Sequence, residues 1–162
     1  MEVYLQPEND GLPVRDAGSW AKAKLDYLAR YISVFETSMR QIWSIRHYID
    51  LFAGPGKNCI RDSGEIVLGS PLLALTTSFP FTDYSFAELM PVNADALQRR
   101  CKASPHYNRV HTLTGDSNVV ADDIVSHIVR LDRECQQTGL YTSLNLAFLD
   151  PEGLELHRDT VA

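Results

Sequence analysis

Four carboxylates in this chain sit where carboxylates are unwelcome unless they have work to do. Asp50 interrupts the apolar run Tyr48-Ile49-Asp50-Leu51-Phe52, and Glu88 closes the run Tyr84–Leu89. Asp116 follows the run Arg109–Leu113 within Gly115-Asp116-Ser117, and Asp150 follows Leu144–Leu149. Acidic side chains are poor strand formers and costly to bury. A single one has a simple alternative role as a helix cap, Asp116 or Asn118 before Val119 being an example. Packing does not readily explain all four. Carboxylates gathered at one edge can accept hydrogen bonds from a sugar, orient or deprotonate a nucleophile, or hold Mg²⁺. The metal-dependent nuclease version ranks last, because no Lys follows in the Asp…Glu-x-Lys spacing.

The first of these acids runs into a glycine turn, Ala53-Gly54-Pro55-Gly56. Two glycines permit positive φ and close backbone approach, and exposed amides in such a turn can hold a carboxylate or phosphate. The GxxxxGK[ST] phosphate loop is absent. A dinucleotide fingerprint would need GxGxxG opening directly into a helix, but the third position after Gly56 is Cys59. NAD is therefore disfavoured. Glu88 discriminates further, since an acid ending the second strand can accept both ribose hydroxyls.

These residues need elements to hold them. Residues 1–18, with Pro7, Gly11, Pro13 and Gly18, read as an arm or loop outside the core. A helix is expected from Ser19 as N-cap, with Leu25, Leu28, Ile32, Phe35, Met39 and Ile42 at helical spacing. Ile45–Phe52 reads as a strand. Lys57–Leu68 reads as a hairpin insertion around Asp62-Ser63-Gly64. Ser70 as N-cap and Pro71 at the first helical position open the next helix. Tyr84–Leu89, a helix from Pro91 to Cys101, strand Arg109–Leu113, a helix over Val119–Cys135 and strand Leu144–Leu149 follow. Such alternation predicts an α/β protein with a mainly parallel sheet covered by helices on both faces. Only twelve residues follow Asp150. A doubly wound sheet normally continues past that point, so the expectation is a fragment, with 19–162 the first part of a larger domain.

The chain has 162 residues and a net charge of −6, with 44% hydrophobic and 22% charged residues. This is a globular composition, and its charge does not favour a sequence-independent nucleic-acid binder. Cys59, Cys101 and Cys135 form neither a CxxC pair nor an even framework, which fits reduced thiols in a cytoplasmic setting. No run approaches the ~20 apolar residues of a membrane span. His47, His106, His111, His127 and His157 show no metal-ligand spacing. Of these, His157 follows the Asp150 loop and could approach the site. Arg99, Arg100, Lys102, His106, Arg109 and His111 read as a solvated basic face.

Asp50-Leu51-Phe52-Ala53-Gly54-Pro55-Gly56 resembles the first motif of class I S-adenosylmethionine-dependent methyltransferases. Glu88 is similar to their ribose-binding acid, Gly115-Asp116-Ser117 to their adenine-contacting segment, and Asp150-Pro151 to the catalytic-loop motif. The order Trp20…Lys24-Leu25, Tyr48–Gly56, Gly69-Ser70-Pro71 and Leu149-Asp150-Pro151-Glu152-Gly153-Leu154 more closely resembles the three-Cys-motif partner (TcmP) proteins, over residues 20–160. The resemblance implies a Rossmann-like methyltransferase fold, here its first four strands and an N-terminal helix, with S-adenosylmethionine as cofactor. It implies cofactor contacts from Asp50, Phe52, Ala53, Gly54, Gly56, Glu88, Leu89, Asp116, Ser117 and Asp150. In that scheme the Ala53–Gly56 amides take the amino-acid end of the cofactor, and Asp50 reaches its amino group through water. The catalytic pair is Asp150 and Pro151. The implied partner is a three-Cys-motif protein; the family name refers to that partner's cysteines, so the three here do not bear on it. Amino-directed DNA methyltransferases carry [Asp/Asn/Ser]-Pro-Pro-aromatic. Asp150-Pro151-Glu152-Gly153 lacks the second proline and the aromatic platform for a flipped base. Two readings remain: a methyltransferase acting on nucleic acid or an associated protein, and a non-catalytic module that works with a partner protein.

Overall fold

A computed structural model describes residues 2–137, 139, 143–151, 153 and 156–161. Its elements are β1 (Arg15–Ala17), α1 (Ser19–Met39), β2 (Arg46–Asp50), β3 (Lys57–Ile60), β4 (Ile66–Leu68), α2 (Ser70–Leu75), β5 (Asp83–Glu88), α3 (Pro91–Cys101), β6 (Val110–Thr114), α4 (Ser117–Gln137), β7 (Leu144–Phe148) and α5 (Arg158–Val161). The main sheet runs β6-β5-β2-β7, all parallel. The chain thus builds outward from β2 through β5 to β6, then crosses to β7 on the other side of β2. That reversal is the topological switch point of a doubly wound sheet, and its crevice opens at the carboxyl ends of β2 and β7. The expected α/β class, with a parallel sheet between helices, is what the chain forms.

Strand alternation assigns the two faces. Tyr48, Tyr84 and Phe86 point to one, where Leu28 and Ile32 of α1, Leu72 and Leu75 of α2, and Leu97 and Cys101 of α3 complete the larger core. Ile49, Leu51 and Ala87 point to the other, under Val120 and Ile124 of α4. Only two of the five β2 residues are strongly apolar, yet all five are buried. Arg46 is tolerated because Glu36, fully buried at the end of α1, accepts from its Nε at 2.9 Å. The Trp43 and Pro80 carbonyls accept from the same guanidinium. Both ions are therefore paired and hydrogen-bonded, as burial of a charge demands.

Two helix starts differ from expectation by one position. Gly18 and Gly69, rather than Ser19 and Ser70, occupy the N-caps of α1 and α2, and the serines begin the helices. Glycine is nearly as good a cap as serine, so the cost is small. Ile42 lies beyond α1 and is exposed. Lys57–Leu68 forms the expected hairpin, β3 pairing antiparallel with β4.

The largest difference concerns residues 2–18 of the segment read as an arm. They are tied into the fold: Glu2–Leu5 form a 3₁₀ turn and β1 pairs in parallel with β3, making a second sheet β1-β3-β4. Asp10 is the anchor. Its carboxylate accepts from Arg100 at 2.6 and 2.8 Å and lies 2.8 Å from Lys57 Nζ, with all three side chains out of solvent. Arg100 also donates to the Pro13 and Pro55 carbonyls, and Lys57 to those of Val3 and Glu8. The basic face expected around Arg99–His111 is dispersed accordingly: Arg100 is fully buried, while Arg99 makes a surface pair with Asp95. Among the described residues no helix is long and apolar enough to cross a membrane.

Candidate functional site

The switch-point crevice is built from the glycine turn outward. Gly54 and Gly56 have φ of +63° and +93°, values that side-chain-bearing residues rarely adopt. Gly56 is also crowded: a Cβ there would lie 3.0 Å from Leu97 Cδ1, and its carbonyl accepts the Gly69 amide at 2.8 Å. The turn is thereby packed onto α3 and onto the start of α2. Two of its amides are engaged inside the protein. Ala53 donates to the Ala87 carbonyl and Gly54 to Glu88 Oε2 at 2.9 Å.

Asp50 ends β2 below this turn with no exposed surface, and its Oδ1 accepts the Phe52 amide at 3.1 Å. Burial is the main influence on its carboxyl, raising it to about 6. The Ser70 hydroxyl, the Phe52 amide and Arg15 oppose that rise. The visible task of Asp50 is to shape the strand-to-turn junction. Among the residues expected to bind a ligand, Asp50 and Gly54 lie beneath the surface; the others reach the walls of two clefts.

The first cleft, of about 400 Å³, is walled by Phe52, Ala53 and Gly56 on one side and by Phe148, Asp150 and Pro151 on another. Trp20, Lys24 and Leu25 of α1 close it. Lys24 Nζ donates to Asp150 Oδ2 and lies 4.5 Å from the Trp20 ring centre. The second cleft, of about 550 Å³, has apolar walls from Leu51, Phe52, Leu89 and Met90. Its polar groups come from Glu88, Asn93, Asp116, Asn118 and His157. Both volumes lie in the range of small-molecule sites. Arg15 and Phe52 line both clefts and form the divide between them.

Glu88 is nearly buried at the edge of the second cleft. Its Oε1 accepts the Met90 amide at 2.9 Å and Asn93 Nδ2 at 3.4 Å, while Arg15 Nη2 lies 3.9 Å from Oε2. Ionised carboxylate oxygens carry about four acceptor positions in all, so capacity remains for a ligand hydroxyl. Asp116 caps α4, its Oδ1 accepting the Asn118 amide at 2.8 Å. The buried Ser117 hydroxyl donates to the Leu51 carbonyl and locks the start of α4 onto the end of β2. His157, read mainly as a surface or packing residue, lines the second cleft, its amide bonded to Asn118 Oδ1 at 2.8 Å. Leu89 is exposed on the same wall.

Sequence reasoning passed over Arg15 and Asn93. Arg15 lay in the presumed arm, and nothing local marks a residue whose role comes from a parallel pairing 43 positions away. Asn93 carried a readable signal, since it sits two residues into a helix that follows the acid-ending strand.

No protein-family model and no curated protein matches this chain. Among solved structures, the hMettl16 catalytic domain in complex with MAT2A 3'UTR hairpin 6 aligns over 64% of this chain and 30% of its own, at 14% identity and a TM-score of 0.41. Protein LPL1258 from Legionella pneumophila str. Philadelphia 1, family-model DUF519, aligns over 77% of this chain and 55% of its own, at 13% identity and a TM-score of 0.48. The chain spans less than two thirds of either. The fold class stands on the strand order and its parallel pairing.

Proposed function

We propose that this chain binds S-adenosylmethionine across the two clefts and forms the cofactor half of a methyltransferase of the three-Cys-motif partner type. The observation that carries this reading is the pairing of clefts at the switch point, Glu88 in one and Asp150 in the other, divided by Phe52 and Arg15. The second cleft suits a nucleoside: apolar walls for a flat base, the Glu88 carboxylate for ribose hydroxyls, and Asp116 and Ser117 at the base edge. The first suits the charged remainder. Arg15 and Lys24 offer cations to a carboxylate, a role the engaged turn amides of Ala53 and Gly54 do not fill. The cofactor, when bound, supplies an activated methyl group. The protein's contribution is positional: Lys24 fixes Asp150 at the cleft mouth, where its carboxylate orients or deprotonates the acceptor nucleophile. The acceptor is a nucleic acid or an associated protein.

Titration calorimetry with S-adenosylhomocysteine tests the reading. Saturable binding is expected, weakened about tenfold or more in Glu88→Gln, which keeps an acceptor for the Gly54 amide but loses the charge. No binding, or binding indifferent to Glu88→Gln and to Met90→Lys in the apolar wall, would sink the idea.

A second reading has its own observation. Tyr27, Tyr31 and Val34 are exposed along α1, with Trp20 at its start. A helix that presents aromatic residues to solvent fits a non-catalytic module docking a partner protein, the three-Cys-motif protein of the resemblance being the candidate. Cofactor binding without methyl transfer to any acceptor would favour it.

A further inference from the structure

At the opposite end of the same strands, three histidines close on one carboxylate. Asp83 opens β5 and is registered with His47 on β2; His111 on β6 is registered with Ser85. Alternation puts these four side chains on the face that α4 covers, and α4 lowers His127 onto them. Asp83 Oδ1 lies 2.9 Å from His127 Nε2, 3.5 Å from His47 Nε2 and 3.6 Å from His111 Nε2.

Satisfying a half-buried carboxylate does not require three imidazoles from three elements. Their spacing suits something else. Four ligand atoms set tetrahedrally around Zn²⁺ at ~2.0–2.1 Å lie about 3.3 Å from one another, and the separations of 2.9 Å from Asp83 Oδ1 to His127 and 3.6 Å to His111 bracket that value. The donor atoms of Asp83, His111 and His127 all fall within 4.8 Å of each other. A cleft of about 310 Å³ lined by Ser85, Asp123, His111 and His127 opens onto them.

We propose that Asp83, His111 and His127 bind a divalent first-row transition ion of the zinc class, with one coordination position open to this cleft. Two imidazoles and a carboxylate select such an ion over Mg²⁺ or Ca²⁺, which prefer all-oxygen shells. His47 backs the site. Its ring is fully buried, and its Nε2 lies 2.9 Å from the Ser85 hydroxyl. Loading requires one rearrangement. Arg130 Nη2 now lies 2.6 Å from His127 Nδ1. With Nε2 on the metal, the imidazole proton moves to Nδ1, and Arg130, an exposed side chain, turns to solvent. The ion would clip α4 to β5 and β6 without touching either cleft, so the proposal stands independently of cofactor binding.

The test uses chelator-treated protein titrated with Co²⁺, whose visible spectrum reports tetrahedral coordination, and with Zn²⁺ against a chromophoric chelator. The expected result is a single ion per chain at micromolar or tighter affinity, a raised melting temperature, and release in acid. His111→Ala and His127→Ala should each weaken binding by more than the ~10–100-fold that loss of a surrounding partner costs. Cys59→Ser should leave it unchanged. The His111 ring is 45% exposed, so its removal leaves the fold intact, which circular dichroism verifies. Absence of saturable binding by either ion, or binding that survives both histidine variants or depends on Cys59, overturns the proposal.

Discussion

Glu88 holds two amides, the buried one of Gly54 and the part-buried one of Met90, as well as lining a cleft. Glu88→Ala should therefore lower stability to urea by about 1–3 kcal/mol for an amide left without its acceptor, whether or not ligand is present. Asp50 makes the opposite contribution. Its carboxyl is raised from its ordinary 3.8 to about 6, so between those values the folded state holds a proton the unfolded state has released. Stability must then fall as the pH climbs through that window, by roughly 1.4 kcal/mol for each pH unit crossed. Asp50→Asn keeps the oxygen that accepts the Phe52 amide and removes the titration. The expected outcome in denaturant titrations between pH 4 and 7 is a flatter profile, the variant gaining on the parent from pH 4 to about 6 and holding that gain above it. The four rim carboxylates were legible because an acid that closes an apolar run gains nothing there from packing. Asp50's depth was not, since burial of a strand end depends on the helices laid over it.

Among the elements, the glycine turn and the N-terminal segment form one unit. Arg100 reaches the Pro55 carbonyl with one arm of its guanidinium and Asp10 with the other. Asp10→Asn leaves Lys57 and Arg100 as buried cations without a counter-charge, and a loss of about 3–5 kcal/mol is expected in chemical denaturation. Gly56→Ala should destabilise by about 1 kcal/mol or more, because it adds strain at φ +93° to crowding against Leu97. The βα alternation could be read from periodicity, and α3 begins and ends where its proline and cysteine suggested. The first 18 residues could not, because proline and glycine report local backbone preference while their place is set by ion pairs with Lys57 and Arg100. The His47, Asp83, His111 and His127 group was hidden in the same way. Side chains drawn singly from three strands and a helix leave no spacing in the sequence.

Across the whole molecule, the parallel sheet separates two kinds of chemistry, carboxylates and apolar clefts at one end and imidazoles at the other. Among the described residues the basic face expected around Arg99–His111 does not form a continuous track to offset the net charge of −6, since Arg100 is enclosed and Arg99 is paired. Random-sequence DNA should consequently show no retardation with this chain in gel shifts at about 150 mM salt, where electrostatic binding depends on clustered phosphate contacts. A nucleic-acid acceptor would have to be held by other means. The tie between Asp10 and Arg100 also has a temporal side. The two residues lie 90 positions apart, and β1 pairs with a strand some 43 positions further along the chain. Segments joined over such distances meet late, after closer neighbours have condensed. In stopped-flow experiments Asp10→Asn should accelerate unfolding and leave the refolding rate nearly unchanged, the signature of a contact absent from the transition state. During synthesis the same geometry keeps the amino-terminal strand waiting. It is made early, yet it docks only when the arginine that secures it has left the ribosome.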